Sequence, residues 1–325
     1  MPVAINQHLA NVYPSLAMMA GMQLELFTAI GDAGENLESL AMMLDLKAIK
    51  LRPLLYALVC ANLLSLAGNT FRNTEETKEF LIKGKPRYIG GMHSAYSDLW
   101  ASTMHTAESI RTGLPQAEHN FSSMSKNELR AFIRGLDAGA SATARRLQKE
   151  FQMDRFNDVL DAGGGSGGLA IALAQICPKL KLTVAELANV APITRECIDE
   201  RKLGARITVA ECDLVNQKIQ GSYDAIVMRS VLQVLSPEEA RSALSNAVNG
   251  LKPKGEVFMV GRMLDDSRLT PLDSVAVNVM FLNVYQNGQA YTEGEYKEFF
   301  KLAGLSGMTR TLLSGGYSIL KGTKT

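Results

Sequence analysis

Residues 157–168, reading NDVLDAGGGSGG, constrain the fold of this chain more than any other stretch. The apolar pair Val159-Leu160 stops at Asp161, five glycines and a serine follow, and residues 169–174 open a helical pattern. That order reads as strand, tight loop, helix. Glycines suit such a loop because a ligand lying against the start of the helix must approach the backbone, which side chains would block. The stretch is read as a nucleotide cradle.

Charge argues which nucleotide it holds. Gly163, Gly165 and Gly168 satisfy the dinucleotide fingerprint, a pattern that many glycine-rich turns match without binding anything. Asp161 says more: a carboxylate at the strand end suits a cationic group such as an amino-acid ammonium and would repel a pyrophosphate. With Gly163, Gly165 and Gly167 it forms the D-x-G-x-G-x-G arrangement of S-adenosylmethionine binders. A second strand over 180–185 ends in Glu186, placed to accept hydrogen bonds from two ribose hydroxyls. A third over 206–210 leads to Cys212-Asp213, where an acid can meet an adenine amino group. Acids at three successive strand ends are hard to obtain by chance.

Length and composition bound the rest. A chain of 325 residues suggests two domains. Its net charge of +1 and the lack of a basic tail give no footprint for nucleic acid or an anionic membrane. Apolar residues are 46%, with no uninterrupted run long enough to span a bilayer. The first residues lack the basic and apolar regions of a signal peptide, so a cytoplasmic protein is expected. Cys60, Cys177, Cys197 and Cys212 are scattered without metal-ligand spacing, and are read as reduced thiols with no metal site.

Residues 14–31, 36–44 and 50–60 read as helices, and 63–72 as two short strands around Gly68-Asn69. This is the winged-helix arrangement. Its third helix offers Arg52 as main cation and is otherwise almost wholly apolar, built for burial rather than for reading DNA. Helices over 92–110, 128–136 and 140–151 then form a bridge, broken at 113–115 and 120–123. It carries Trp100 and the histidines His93, His105 and His119, of which His93 and His105 are kept as pocket candidates. Beyond Asp161 strands and helices alternate: a strand over 224–229, a helix over 237–251 and a strand over 255–260. An apolar helix over 273–285, another over 292–302 and an antiparallel hairpin over 308–323 close the chain. The expectation is an α/β protein in three parts. An all-α winged-helix dimerisation domain spans 1–85, a helical bridge lining the acceptor pocket 86–156, and a Rossmann-like doubly wound sheet 157–325.

The chain resembles, along nearly its whole length, the small-molecule O-methyltransferases with an N-terminal winged-helix dimerisation domain, the group containing hydroxyindole, caffeate and bacterial polyketide methyltransferases. The residues that carry the resemblance are LELF at 24–27, DAGGGSG at 161–167, AEL at 185–187, CDL at 212–214 and RSVLQ at 229–233. It implies S-adenosylmethionine as cofactor, with Glu186 on the ribose and Asp213 beside the adenine. Leu187, Cys212, Leu214 and Arg229 complete the cofactor site. It also implies a homodimer through residues 1–85 and a small-molecule acceptor, touched by Trp100, Asn278, Phe281 and Asn283.

The departure lies in the chemistry. Family members usually follow the fourth strand's Val-Leu pair with a His that takes the acceptor's proton, and here that position is Gln233. The two acids that flank this His are replaced by Gly261 and, in the family's Gly-Gly-x-Glu-Arg segment, by Ala290. A phenol of pKa ~10 is a poor nucleophile until deprotonated, a positioned base contributes roughly a hundred- to ten-thousandfold, and an amide cannot serve as one. Open alternatives are an acceptor already ionised or nucleophilic (acidic oxygen, sulfur, nitrogen or carbon), a base from elsewhere such as His105 or Tyr285, no chemistry beyond cofactor binding, or chemistry other than methyl transfer. In the last case the sulfonium would serve a decarboxylase, hydroxylase or pericyclase of the same fold. Gln233 is expected at the end of the fourth strand, aimed at the transferring methyl.

Overall fold

The computed structural model describes residues 2–119, 121, 123–135 and 139–325, with the backbone alone at 94 and 95. Asn120, Ser122 and Leu136, which fall in the loop and helix expected above, lie outside the described residues. Two compact units divide the chain, Met1–Asp98 and Leu99–Thr325, so the division falls inside the stretch read as a bridge.

In the first unit the helices Val12–Gln23, Leu26–Ile30, Leu37–Met43 and Ala48–Cys60 accompany a small antiparallel sheet of β1 (Glu35–Asn36), β2 (Leu64–Ala67) and β3 (Thr70–Asn73), ordered β1-β3-β2. The helix expected over 14–31 is two helices, because Glu25 adopts a left-handed conformation (φ 52°) that turns the chain. Buried Asn73 donates to Phe27 O (2.8 Å) and Gly31 O (2.9 Å), tying β3 to the end of the second helix. Leu26, Phe27, Leu40, Leu55, Leu58 and Phe71 form the core. The helix Val3–Ala10 buries no residue.

In the second unit seven strands lie in the order β6-β5-β4-β7-β8-β10-β9. They are β4 (Asp158–Ala162), β5 (Lys181–Glu186), β6 (Ile207–Glu211), β7 (Tyr223–Arg229), β8 (Leu251–Arg262), β9 (Leu305–Leu312) and β10 (Tyr317–Lys324). The first five are parallel, and β10 inserts antiparallel between β8 and β9. This is the doubly wound sheet with a closing hairpin. The chain winds outward from β4 to β6 and restarts at β7 on the other side of β4, leaving a crevice at the carboxyl ends of β4 and β7. Apolar side chains pack on both faces, with the glycine-loop helix Gly168–Ile176 buried along residues 169–174 between the sheet and the helix Ala140–Phe151.

One expected helix is two. The run over 92–110 breaks into His93–Thr103 and Thr106–Thr112. Hydroxyls compete for its carbonyls, with Ser102 and Thr103 both donating to Leu99 O at 2.7 Å and Thr106 to Thr103 O at 2.6 Å. No helix among the described residues is long and apolar enough to cross a membrane.

Candidate active site

Between β4 and its helix the loop is held by main chain rather than by its own side chains. Gly163 N–H donates to Ala185 O at 2.8 Å, Gly165 N–H to Glu186 Oε1 at 2.7 Å, and Thr194 Oγ1 to Gly165 O at 2.6 Å. Gly163 (φ 69°) and Gly165 (φ 59°) occupy the left-handed region, and a Cβ at Gly163 would collide with Val231 beyond β7. The loop therefore closes against the ends of both β5 and β7.

Three acids surround it. Asp161 is 1% exposed, and neither carboxylate oxygen meets a hydrogen-bond donor among the described residues. Burial pushes its pKa up to about 7, Arg229 opposes that shift, and Glu186 adds to it. Glu186 is half-buried, with Oε1 on Gly165 N–H and Oε2 on Leu187 N–H at 2.8 Å, and desolvation still raises its pKa. Each oxygen keeps a second lone pair for a ligand hydroxyl. Asp213 accepts from Val215 N–H (3.0 Å) and Asn216 Nδ2 (2.7 Å), which fixes the turn after β6.

A cavity of about 600 Å³ joins these acids to an aromatic wall of His119, Phe121, Phe132, Ile133 and Tyr285. The wall is assembled from distant segments. Ala117 and His119 N–H donate to Asn283 O (3.0 Å) and Val284 O (2.9 Å), docking that segment on the end of the helix Leu272–Val284. His119 then meets Phe132 edge-on at 5.0 Å and Tyr285 at 6.2 Å. Desolvation pushes the Tyr285 hydroxyl up to about 12, and Tyr317 adds to the shift.

A profile of the O-methyltransferase domain family matches residues 107–306, most of the chain. The chain belongs to that family. It is an S-adenosylmethionine-dependent methyltransferase, and the donor set fits this cofactor: a buried carboxylate at the end of β4 for a cationic group, a glycine loop lining the cavity, and two further acids at successive strand ends. The methyltransferase is similar to 3-hydroxy-5-methyl-1-naphthoate 3-O-methyltransferase of Streptomyces sahachiroi, at 24% identity over 99% of this chain and 95% of that one. It is similar to the N,N-dimethyltransferase OxyT of Streptomyces rimosus at 25% identity, over 89% and 86% of the two chains. Its fold matches human N-acetylserotonin methyltransferase solved with S-adenosylmethionine, with a TM-score of 0.84 at 21% identity over 99% and 96% of the chains.

The residues read as cofactor-binding in this methyltransferase come together. Asp161, Gly163, Gly165, Glu186, Leu187, Cys212, Asp213, Leu214 and Arg229 all line the cavity, while Gly167 (φ 79°) stands behind them as the residue before the helix. Tyr285 lines it too. The other expected acceptor-side residues do not. His105 is exposed ahead of the helix Thr106–Thr112, Trp100 is half-buried and off the wall, and His93 belongs to the first unit. Asn278 and Asn283 are braces: Asn278 Oδ1 takes the N–H of buried Ala290 at 2.8 Å, and Asn283 bonds Ser109 (2.8 Å) and Thr106 (3.0 Å). Phe281 is buried against Leu264, Val284 and Ala290.

Gln233 departs furthest from expectation. Beyond β7, Ser230 turns left-handed (φ 59°) and donates its N–H to Val260 O at 2.7 Å, after which Leu232–Val234 form a tight helical turn. Residues three apart share a face on such a turn, so Val231 and Val234 line the cavity while Leu232 and Gln233 are buried behind it. Gln233 Oε1 accepts the Arg262 N–H at 2.8 Å, and a Cβ at Gly261 would sit 2.8 Å from that oxygen. His119, Phe121 and Phe132 were missed as wall residues. The only sequence signal was their place beside a helix break, which does not distinguish one histidine of the stretch from another.

Proposed function

We propose that this methyltransferase acts on a small, largely apolar acceptor, and that Gln233 takes no proton in the reaction. The observation that supports this is the single cavity in which the acid-and-glycine cradle meets an aromatic wall, with Gln233 outside it. Bound S-adenosylmethionine supplies a methyl group activated by its positively charged sulfur. Asp161 would face the cationic end, Glu186 the ribose hydroxyls and Asp213 the adenine amino group. The apolar wall would orient the acceptor and exclude water, since transfer largely requires in-line placement at short range. Relatives named for a naphthoate hydroxyl and for nitrogen support oxygen and nitrogen acceptors.

Calorimetry with S-adenosylmethionine on the purified protein is the direct check. Binding in the micromolar range is expected, weakened on changing Asp161 or Glu186 to Ala, and no binding to the unaltered protein would sink the reading. A panel of small aromatic metabolites scored by release of S-adenosylhomocysteine then identifies the acceptor.

The N-terminal unit is read as a winged-helix domain that pairs with a second copy of the chain. What supports this is its apolar surface: Val3, Ile5 and Leu9 on the first helix are 78%, 61% and 67% exposed, and Tyr13 follows at 67%. Light scattering at micromolar concentration should give a dimer mass, and a monomer would contradict it.

A further inference from the structure

The geometry points to His119 as the group that accepts the proton of a hydroxyl-bearing aromatic acceptor, the task that Gln233 does not perform. This rests on the methyl-transfer reading above.

His119 lines the same cavity as Asp161, Glu186 and Arg229. Its position is set before any ligand arrives. The amides of Ala117 and His119 are tied to Asn283 O and Val284 O, and Asn283 is itself locked by Ser109 and Thr106. Phe132 and Tyr285 stand edge-on to the imidazole at 5.0 and 6.2 Å, so the ring is packed between aromatic neighbours that also line the cavity.

The other titratable groups of the cavity serve less well. Tyr285, pushed up to about 12, keeps its proton at neutral pH. Glu118, on the same segment as His119, is exposed. Glu239 holds the Ser236 N–H at 2.8 Å in the cap of its own helix. Asp161, Glu186, Asp213 and Arg229 belong to the cofactor side in the reading above. From the helix Lys126–Gly135 it is Phe132 that meets the ring. A neutral imidazole has a ring nitrogen that accepts a proton and can pass it on to water within one turnover.

In the step, a lone pair of the acceptor oxygen forms the bond to the methyl carbon, and the carbon–sulfur pair returns to sulfur and cancels its charge. The hydroxyl proton passes to neutral His119 and then to water. A methyl ether, S-adenosylhomocysteine and one proton result.

The test compares 1-naphthol, whose hydroxyl must lose its proton, with 4-nitrophenol at mildly alkaline pH, which is ionised without help. H119Q and H119A should lower kcat on 1-naphthol by on the order of a hundredfold or more, with KM little changed, and lower that on the nitrophenolate by less than about fivefold. The rise of kcat with pH on 1-naphthol should flatten in H119Q. Independently of turnover, protein saturated with S-adenosylhomocysteine should show the His119 ring resonance, assigned by its loss in H119Q, moving when 1-naphthol is added. Equal losses on the two acceptors, no loss on either, or a His119 resonance indifferent to 1-naphthol would overturn the assignment. Failure of the wild-type protein to bind or methylate 1-naphthol counts against the hydroxyl-aromatic class. Calorimetry separates the two readings. If the wild-type protein does not bind S-adenosylmethionine, methyl transfer itself falls; if H119Q binds it normally and methylates 1-naphthol normally, only His119 falls.

Discussion

The two walls of the cavity are built differently. On the cofactor side the glycine loop, Glu186 and the turn at Asp213 are joined by backbone hydrogen bonds to strand ends fixed by sheet register. The acceptor side gathers His119 and Phe121, Phe132 and Ile133, and residues 285–287 from three distant segments, joined mainly by ring contacts and two backbone bonds. A wall built on the sheet tolerates little change, whereas a wall of packed rings can be re-lined. The first suits a ligand common to a family, and the second an acceptor that differs between members.

Substitutions should expose that contrast. The largest effect is expected for Gly163→Val, which combines an unfavourable left-handed backbone with a collision against Val231. Denaturant unfolding should show a loss of about 3 kcal/mol, and calorimetry at least a hundredfold weaker S-adenosylmethionine binding. Retained affinity would mean that the loop is not the rigid half.

Asp161→Asn comes next, with opposite effects on stability and binding. The carboxylate is raised from 3.8 to about 7 in the folded protein. Its ionisation therefore costs no stability below pH 4; the loss grows as pH rises from about 4 to about 7 and is complete above that. The ligand-free Asn variant should melt several degrees higher than the wild type at pH 8 and not at pH 4. Wild-type cofactor affinity should fall about tenfold per pH unit below 7, and the Asn variant should show no such slope. Parallel pH profiles for the two proteins would remove Asp161 from the cationic end.

Phe132→Ala tests the other wall. Acceptor KM should rise by on the order of tenfold while cofactor affinity stays within about twofold, because the ring meets His119 and Phe121 rather than the cradle. Gln233→Ala should do least to turnover, within about threefold, yet cost roughly 1–2 kcal/mol of stability because the Arg262 N–H loses its partner. A thousandfold loss of kcat would show Gln233 in the chemistry after all.

The same contrast explains what could be read without coordinates. The meeting of Asp161, Glu186 and Asp213 at one cavity was legible because each ends or closely follows a strand of the parallel sheet, so local spacing fixes its place. His119 was not, because its place depends on pairing with Asn283 and Val284, more than a hundred and sixty residues away in sequence. Asn278 and Asn283 carried the right chemistry for acceptor contacts, but their amides turn inward onto backbone and hydroxyls. Gln233 was placed correctly along the chain and wrongly in direction, because the left-handed Ser230 and the tight turn after it rotate its side chain towards β8. Element boundaries followed the hydrophobic periodicity closely. Exceptions were the helix over 14–31, broken at left-handed Glu25, the strand β8, which starts at Leu251 where a helix was expected, and the helix over 92–110, where the three hydroxyl side chains that break it look like ordinary helix surface.

The missing Cβ at Gly261 restricts the order in which this site can change. The oxygen of Gln233 sits 2.8 Å from where that atom would be, so any side chain installed at 261 first has to displace a buried amide that holds the Arg262 N–H. A change at 233 that vacates the space must come before one at 261, and the two substitutions together should be far less damaging than the second alone. The pair forms a one-way path: descent from a histidine-and-acid arrangement would run through the loss of the acid, and return through the loss of the glutamine.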